Sequence, residues 1–427
     1  MSQQTHRDRL VELRRELHRY PEPAWREFYT TSRIVDELET IGVDELYVGS
    51  EVLAEEERMS VPDDDELGRW YEQARQEGAR EDILERLEGG RTGAIAVIDR
   101  GEGPTVALRV DIDGLLREES TNSDHVPATE GFRSEHAGAM HACGHDAHAT
   151  IGIGVLEAIK DSNFEGTLKV LFQPGEEMVA GGKPMAKSGH VDDVDYLLAV
   201  HIGLDHPTGE VVAGVDGFLA VSHFLAEFTG EPAHAGGKPN AGENAVQAMA
   251  TAIQNLYAIP RHEDGATRIN AGDVGGGSAT NIIPEHAYIE GEVRGETTHL
   301  KDYMQERANR VLEHAAAMHG CSVEQSTEGE APSAESDEGL VEIIHDVSTE
   351  TRGVENPIRR DTLGGSEDAT YLMQEVQQNG GLAVYVGVGT DHPGGHHTST
   401  FDVDEDSLPI AVDLLSSSIR EIASKRP

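Results

Sequence analysis

Five short apolar runs constrain this chain more than any other feature. They occupy residues 94–98, 105–110, 168–172, 196–201 and 383–388, each of strand length. Helical stretches at 147–159 and 408–422 lie among them. Short buried strands alternating with helices predict an α/β layer with helices on both faces of the sheet. In such folds the crevice at the carboxyl ends of the strands takes the ligand. The residues that follow each run are therefore the ones to read for chemistry.

The flanking segments fill out this frame. Leu10, Leu13 and Leu17 fall at helical spacing before Pro21-Glu22-Pro23 stops the helix, and Ile34, Val35, Leu38 and Ile41 mark a second one. Residues 51–93 are charged and helix-forming, anchored only by Trp70, Leu84 and Leu87, and read as a peripheral helical insertion. Near residue 212 the pattern changes. Residues 219–228 and 286–294 alternate apolar with polar, as half-buried strands do. Two amphipathic helices accompany them, one through Ala245, Met249, Ile253 and Leu256, the other through Met304, Ala308, Val311 and Ala315. This predicts an α+β domain at 212–330 inserted into an α/β domain built from 1–211 and 331–427.

Charge narrows the function. The chain carries 79 acidic against 34 basic residues, a net −45. Nucleic acid and anionic membranes both require basic patches, so neither is expected as a partner. Acidic clusters such as Asp63-Asp64-Asp65-Glu66 suggest a cytosol at very high salt, where screening relieves self-repulsion. An ordinary acidic bacterial protein is the alternative. No apolar run is long enough to span a membrane, and Met1-Ser2-Gln3-Gln4-Thr5-His6-Arg7 lacks the apolar stretch of a signal peptide. The two cysteines, Cys143 and Cys321, make no disulfide framework and fit a reducing compartment.

Four segments carry chemistry. Met140-His141-Ala142-Cys143-Gly144-His145-Asp146-Ala147-His148 places a thiolate and an imidazole two residues apart, both good ligands for a zinc-like cation. Asp146 is expected to orient a ligand imidazole. A purely structural Cys–His cluster is the other reading of this stretch. Phe172-Gln173-Pro174-Gly175-Glu176-Glu177 sets two carboxylates after a strand, one for metal and one for substrate, unless they form a solvated acidic turn. His201 ends the run at 196–201. In Pro393-Gly394-Gly395-His396-His397-Thr398 either histidine can ligate. Together they supply Cys, Glu and two or three His at the strand ends of one sheet. That inventory suits two metals sharing one ligand, with a free carboxylate for proton transfer.

These motifs, with the charged stretch at Arg58-Met59-Ser60-Val61-Pro62-Asp63, Gly365-Ser366-Glu367-Asp368-Ala369-Thr370 and the histidine pair before Phe401-Asp402, give a resemblance that runs end to end. The chain resembles the two-domain metallo-aminoacylase and exopeptidase family, in the branch of hippurate and indole-acetyl-amino-acid hydrolases. The resemblance implies a mixed-sheet, two-metal aminopeptidase-like catalytic domain with an inserted ferredoxin-like lid and dimerisation domain. It implies Cys143, His145, Glu177, His201 and His397 as metal ligands, with Cys143 as the bridge and Zn2+ or Mn2+ as the ions. It implies Glu176 as general base, and His234 as a lid histidine stabilising the oxyanion in another subunit's site. Asn281 and Arg294 match residues that grip a substrate carboxylate, and the chemistry agrees, since arginine offers a bidentate fork. Arg294 in a structural ion pair is the alternative. Asp111 and Asp113 match supporting residues around the ligands.

The implied reaction is hydrolysis of the amide bond of an N-acyl amino acid. A homodimer is expected, or a heteromer with a homologous B subunit. Gly114, Gly175 and the stretch Met178-Val179-Ala180-Gly181-Gly182-Lys183 depart from the usual pattern, which touches specificity rather than chemistry. A hippurate-like hydrolase or carboxypeptidase, and a catalytically silent metal-binding subunit, are the rival readings.

Overall fold

The computed structural model describes residues 3–427; Met1 and Ser2, which open the segment considered for a signal peptide, lie outside the described residues. The chain divides into two compact units. One comprises Met1–Asp216, Ala334–Leu363 and Asp368–Pro427, the other Gly217–Ser333 and Gly364–Glu367. The first boundary therefore falls at 217 rather than 212. The reason is pairing: Glu210–Val212 and Val215–Asp216 are strands hydrogen-bonded to Asn356–Ile358 and Asp361–Thr362 of the larger unit.

The larger unit is built on an eight-stranded sheet. Its order is Glu45–Val48, Ala94–Asp99, Thr167–Gln173, Thr105–Asp111, Tyr196–Ile202, Leu382–Val388, Glu210–Val212 and Asn356–Ile358. The four strands from Thr167–Gln173 to Leu382–Val388 run parallel, and antiparallel strands flank them. The parallel centre is covered on both faces, and every residue of Tyr196–Ile202 is buried. Helices Gln3–Arg19, His145–Lys160 and Ser407–Lys425 pack on one another. Their apolar stripes join Leu108, Val110, Val170 and Val200 in one core. The charged insertion forms helices Asp64–Glu77 and Glu81–Leu87, which bury Leu67, Ile83, Leu84 and Leu87 in that core. Asp63 caps the first helix by accepting from the Glu66 amide at 2.7 Å. Among the described residues no helix is long and apolar enough to cross a membrane.

The smaller unit has the order strand, helix, strand, strand, helix, strand. Ala220–Thr229, Thr267–Gly276, His286–Gly295 and Ser322–Ala331 form an antiparallel sheet with His286–Gly295 and Ala220–Thr229 at its centre. Helices Ala245–Leu256 and Thr298–Met318 pack on it, and Phe224, Ile289, Val293, Met304 and Leu312 fill the space between. This is the ferredoxin-like arrangement. A separate two-residue ladder pairs Ala233–His234 with Ile282–Ile283.

Candidate metal centre and catalytic turn

Because four strands of the larger sheet run parallel, their carboxyl ends share one edge. Asp111 ends one strand, the turn at 174–182 follows the next, His201 lies at the end of the third, and the loop carrying His396 and His397 follows the fourth. Cys143 and His145 reach the same edge from the start of helix His145–Lys160. The turn into that helix requires Gly144: its φ is +86°, and a Cβ there would lie 2.6 Å from Ile202.

Five clusters of candidate ligand atoms, each lying within 4.8 Å, occur among the described residues, His145 with Glu176 and Glu177 among them, and two of the five contain Cys143. One is Cys143, His145 and His201; the other is Cys143, Glu177 and His397. Cys143 is common to both. The histidines carry the tautomer a metal needs. His145 donates Nδ1–H to the Asp113 carbonyl at 3.0 Å, which leaves its buried Nε2, without a hydrogen-bond partner among the described residues, as the nitrogen that would meet a cation. His201 donates Nδ1–H to the Ile202 carbonyl at 2.8 Å, and its Nε2 lies 3.4 Å from Cys143 Sγ. Two ligands on one tetrahedral zinc would stand roughly 3.5 Å apart, given usual Zn–S and Zn–N lengths. His397 has a left-handed backbone, φ +59°, that brings its Nε2 to 3.4 Å from Glu177. The donor set thus fits a pair of borderline cations.

The electrostatics fit as well. Burial holds His201 well below the usual imidazole range, and partial desolvation, with His145 and Arg117 nearby, lowers the more exposed His397, so both are neutral donors. Burial and the neighbouring Glu177 push the Cys143 thiol well up, so its proton leaves only when a cation replaces it. Burial opposes charge on His145, but Asp111 and a bond to Asp113 outweigh it and hold its pKa well above the usual value, so a cation binding there would displace a proton from this ring as it would from Cys143.

The Glu176–Met178 turn is suspended from three buried carboxylates. Glu27 accepts from the Gly175 amide at 2.8 Å. Asp113 accepts from the Glu176 and Glu177 amides at 3.1 and 3.0 Å. Asp368 accepts from the Gly181 and Gly182 amides at 3.0 and 2.7 Å. Glu176 is buried, with its carboxylate 3.8 Å from His145 Nε2. Burial, with Asp113 nearby, raises Glu27 to about 8. Sequence reasoning misses Glu27 and Asp368. Asp368 lies in one of the quoted motifs, while nothing local marks Glu27.

Asp111 binds Arg109 at 2.7 Å and also His148, whose Nε2 accepts from the Ile202 amide at 2.8 Å. Both His148 nitrogens are thus committed, and the ring braces the site without ligating. Asp146 is placed differently from expectation. It does not reach a ligand imidazole but sits 2.8 Å from both Arg14 and His18 in a buried charge cluster. The reason is helical geometry: neighbouring side chains on a helix point about 100° apart, so Asp146 faces the packed Gln3–Arg19 helix while His145 faces the sheet edge. The Asp113 carbonyl takes the orienting part instead. His141 is also buried, with neither ring nitrogen hydrogen-bonded among the described residues, and burial pushes it down to about 3.

The remaining residues expected from sequence lie in the smaller unit. His234 and Asn281 are brought side by side: the Ala235 amide donates to the Asn281 carbonyl at 2.9 Å, and both residues are exposed. His234 Nδ1 accepts from the Gly236 and Gly237 amides at 3.1 and 3.0 Å. Its proton is therefore on Nε2, which points outward as a donor. Arg294 is half-buried and already engaged. It holds both oxygens of Glu292 at 3.0 and 2.9 Å and donates to Ser366 at 3.1 Å.

Two candidate metal triads sharing Cys143, beside a buried glutamate on an eight-stranded mixed sheet with an inserted α+β unit, define a class. The chain belongs to Peptidase family M20/M25/M40, whose model matches residues 107–421, and it is a hydrolase acting on amide bonds. It is 43% identical to an indole-3-acetyl-aspartic acid hydrolase of Enterobacter agglomerans, over 95% of this chain and 94% of that one. It is 42% identical to the A chain of the p-aminobenzoyl-glutamate hydrolase of Escherichia coli, over 96% and 94%. Among solved structures it is similar to the aminobenzoyl-glutamate utilization protein from Klebsiella pneumoniae, with TM-score 0.84, 34% identity, and coverage of 98% and 97%.

Proposed function

We propose that the protein hydrolyses the amide bond between an aromatic acyl group and an acidic amino acid, with p-aminobenzoyl-glutamate as the best candidate substrate. One observation carries the reading: Glu176 sits beside two ligand triads that share Cys143. The acidic amino acid rests on similarity, since one relative acts on a glutamate conjugate and the other on an aspartate conjugate by name.

In this reading Cys143, His145 and His201 hold one divalent cation and Cys143, Glu177 and His397 the other, as Zn2+ or Mn2+. When bound, the two ions would acidify the attacking water and take up charge developing on the carbonyl oxygen. Glu176 removes the water's proton as it attacks and returns that proton to the leaving nitrogen. Its backbone amide is held by Asp113 and the preceding Gly175 amide by Glu27, which fixes the turn that carries it. His234 Nε2–H serves as an oxyanion donor, in the site of another subunit. Asn281 and Arg294 receive a substrate carboxylate. For Arg294 this requires sharing or releasing Glu292. The protein then works as a homodimer, or with a homologous B subunit, in a high-salt cytoplasm. A mass measurement in molar KCl, with and without that partner, decides between the assemblies.

The test is release of p-aminobenzoate from p-aminobenzoyl-glutamate, in molar KCl with zinc or manganese, by wild type and Glu176→Ala. Turnover by wild type alone is expected. Comparable turnover by both removes Glu176 from its role. Preference for indole-3-acetyl-aspartate in a parallel assay would move the substrate within the same class.

A further inference from the structure

The two adjacent histidines do different things, and His396 has a task of its own. Leu204 donates its amide to His396 Nε2 at 3.1 Å. That amide is aimed by a left-handed backbone at Leu204, φ +51°. The preceding Gly203 makes room, because a Cβ there would lie 2.6 Å from His396 Nε2. With Nε2 accepting, the neutral ring carries its proton on Nδ1. Nδ1 lies 3.5 Å from Cys143 Sγ, within reach of an N–H···S bond. Phe401 lies against the ring at 4.9 Å and 34°, and His201 meets it edge-on at 5.3 Å, so rotation is blocked on both sides. His396 Nε2 is thus occupied by backbone and has no lone pair left for a metal, whereas His397 Nε2 faces Glu177.

We propose that His396 is a positioning residue that donates a hydrogen bond from Nδ1 to the Cys143 sulfur, while Leu204 fixes its tautomer. The proposal rests on the reading of Cys143 as a metal-bridging thiolate. A donor on that sulfur draws off part of its charge, lowers the energy of its lone pairs and holds it at one point between the two triads. Such supporting contacts around metal ligands typically matter 10–100-fold in affinity or activity.

Cobalt(II) titration of the whole protein tests this, because a thiolate bound to Co(II) gives a charge-transfer band whose energy follows the sulfur lone pair. The wild type should bind two ions and show a band that Cys143→Ser removes. His396→Gln keeps an acceptor for the Leu204 amide but places no donor at the sulfur. It should still bind two ions, with the band moved to longer wavelength and turnover of loaded protein about ten-fold lower. His396→Asn puts its amide nitrogen near the Nδ1 position and should restore the band. An unmoved band in His396→Gln would overturn the proposal, leaving the ring as packing. Loss of one ion in His396→Gln, with two retained in His397→Gln, would overturn it by making His396 the ligand. Absence of any Cys143-dependent band in the wild type would overturn the bridging-thiolate reading itself, and this proposal with it.

Discussion

At the scale of single residues, the site is a matter of which atom of each side chain faces the others. Glu176→Gln keeps the size of the side chain but cannot take a proton. Turnover should fall by about 10²–10⁴ while two metals remain bound, as measured by metal analysis beside the assay; a drop in metal content would make Glu176 a ligand instead. Cys143→Ser removes the atom both triads share, so both ions should weaken together. Sequence discloses the ligand types because Cys, His and Glu cluster at strand ends. The loop read by itself leaves His396 and His397 as alternatives, and only the family resemblance favours His397, since the physical choice depends on a φ of +59° at His397 and on an amide from Leu204. Asp146 misleads for a related reason. Adjacency in sequence suggests partnership with His145, while the helix turns the carboxylate toward Arg14 and His18.

At the scale of elements, the buried parallel strands are legible and the edges are not. Tyr196–Ile202 and Thr167–Gln173 are buried on both faces and so read as apolar runs. Thr267–Gly276 and Ser322–Ala331 give no such signal. They are the two edges of the smaller sheet, largely exposed, and one carries Glu324, Glu328 and Glu330. Such charge is what protects an edge from unwanted pairing, and it erases the pattern a strand is recognised by. The Glu176–Met178 turn is also only partly legible, because Glu27 and Asp368 reach it from just before the distant helices Phe28–Ile41 and Ala369–Gln378. Glu27→Gln preserves an acceptor for the Gly175 amide in a group whose folded pKa is about 8, so it should keep most activity. Glu27→Ala leaves that amide unsatisfied, and kcat should fall at least about ten-fold with KM little changed, the signature of lost positioning. Equal loss in both variants would mean that the carboxylate charge, not the hydrogen bond, matters.

At the scale of the whole molecule, net charge gives a testable expectation for stability. With a net −45, self-repulsion should unfold the protein at low salt and relax within a Debye length of about 3 Å at 1 M. Melting in dilute buffer and in molar KCl should differ by tens of degrees; equal midpoints would remove the high-salt setting. The pH dependence has a definite sign. His18 loses to burial and to Arg14 but gains more from Asp146 and Glu119, and is raised from 6.5 to about 9. The folded protein therefore holds a proton there that the unfolded chain gives up. That contribution is complete below about pH 6.5 and is lost as pH rises through about 9. Glu27, raised from 4.5 to about 8, acts in the same direction. Glu119 is desolvated, but its bond to His18 dominates and lowers it to about 2, so its contribution is lost only as pH falls from about 4.5 toward 2. Melting midpoints in fixed KCl should fall between pH 6.5 and 9, and His18→Gln should flatten that slope.

The pairing of Tyr196–Ile202 with Leu382–Val388 also bears on how the protein is made. On the ribosome the first of these strands emerges long before the second, with the entire smaller unit translated in between. At roughly 5–20 residues per second the delay is on the order of ten to forty seconds. Throughout it, a strand destined for burial on both faces is an open edge. The nascent chain's vulnerable interval is thus set by the insertion, and a chaperone that shields that edge would raise the yield of the whole enzyme.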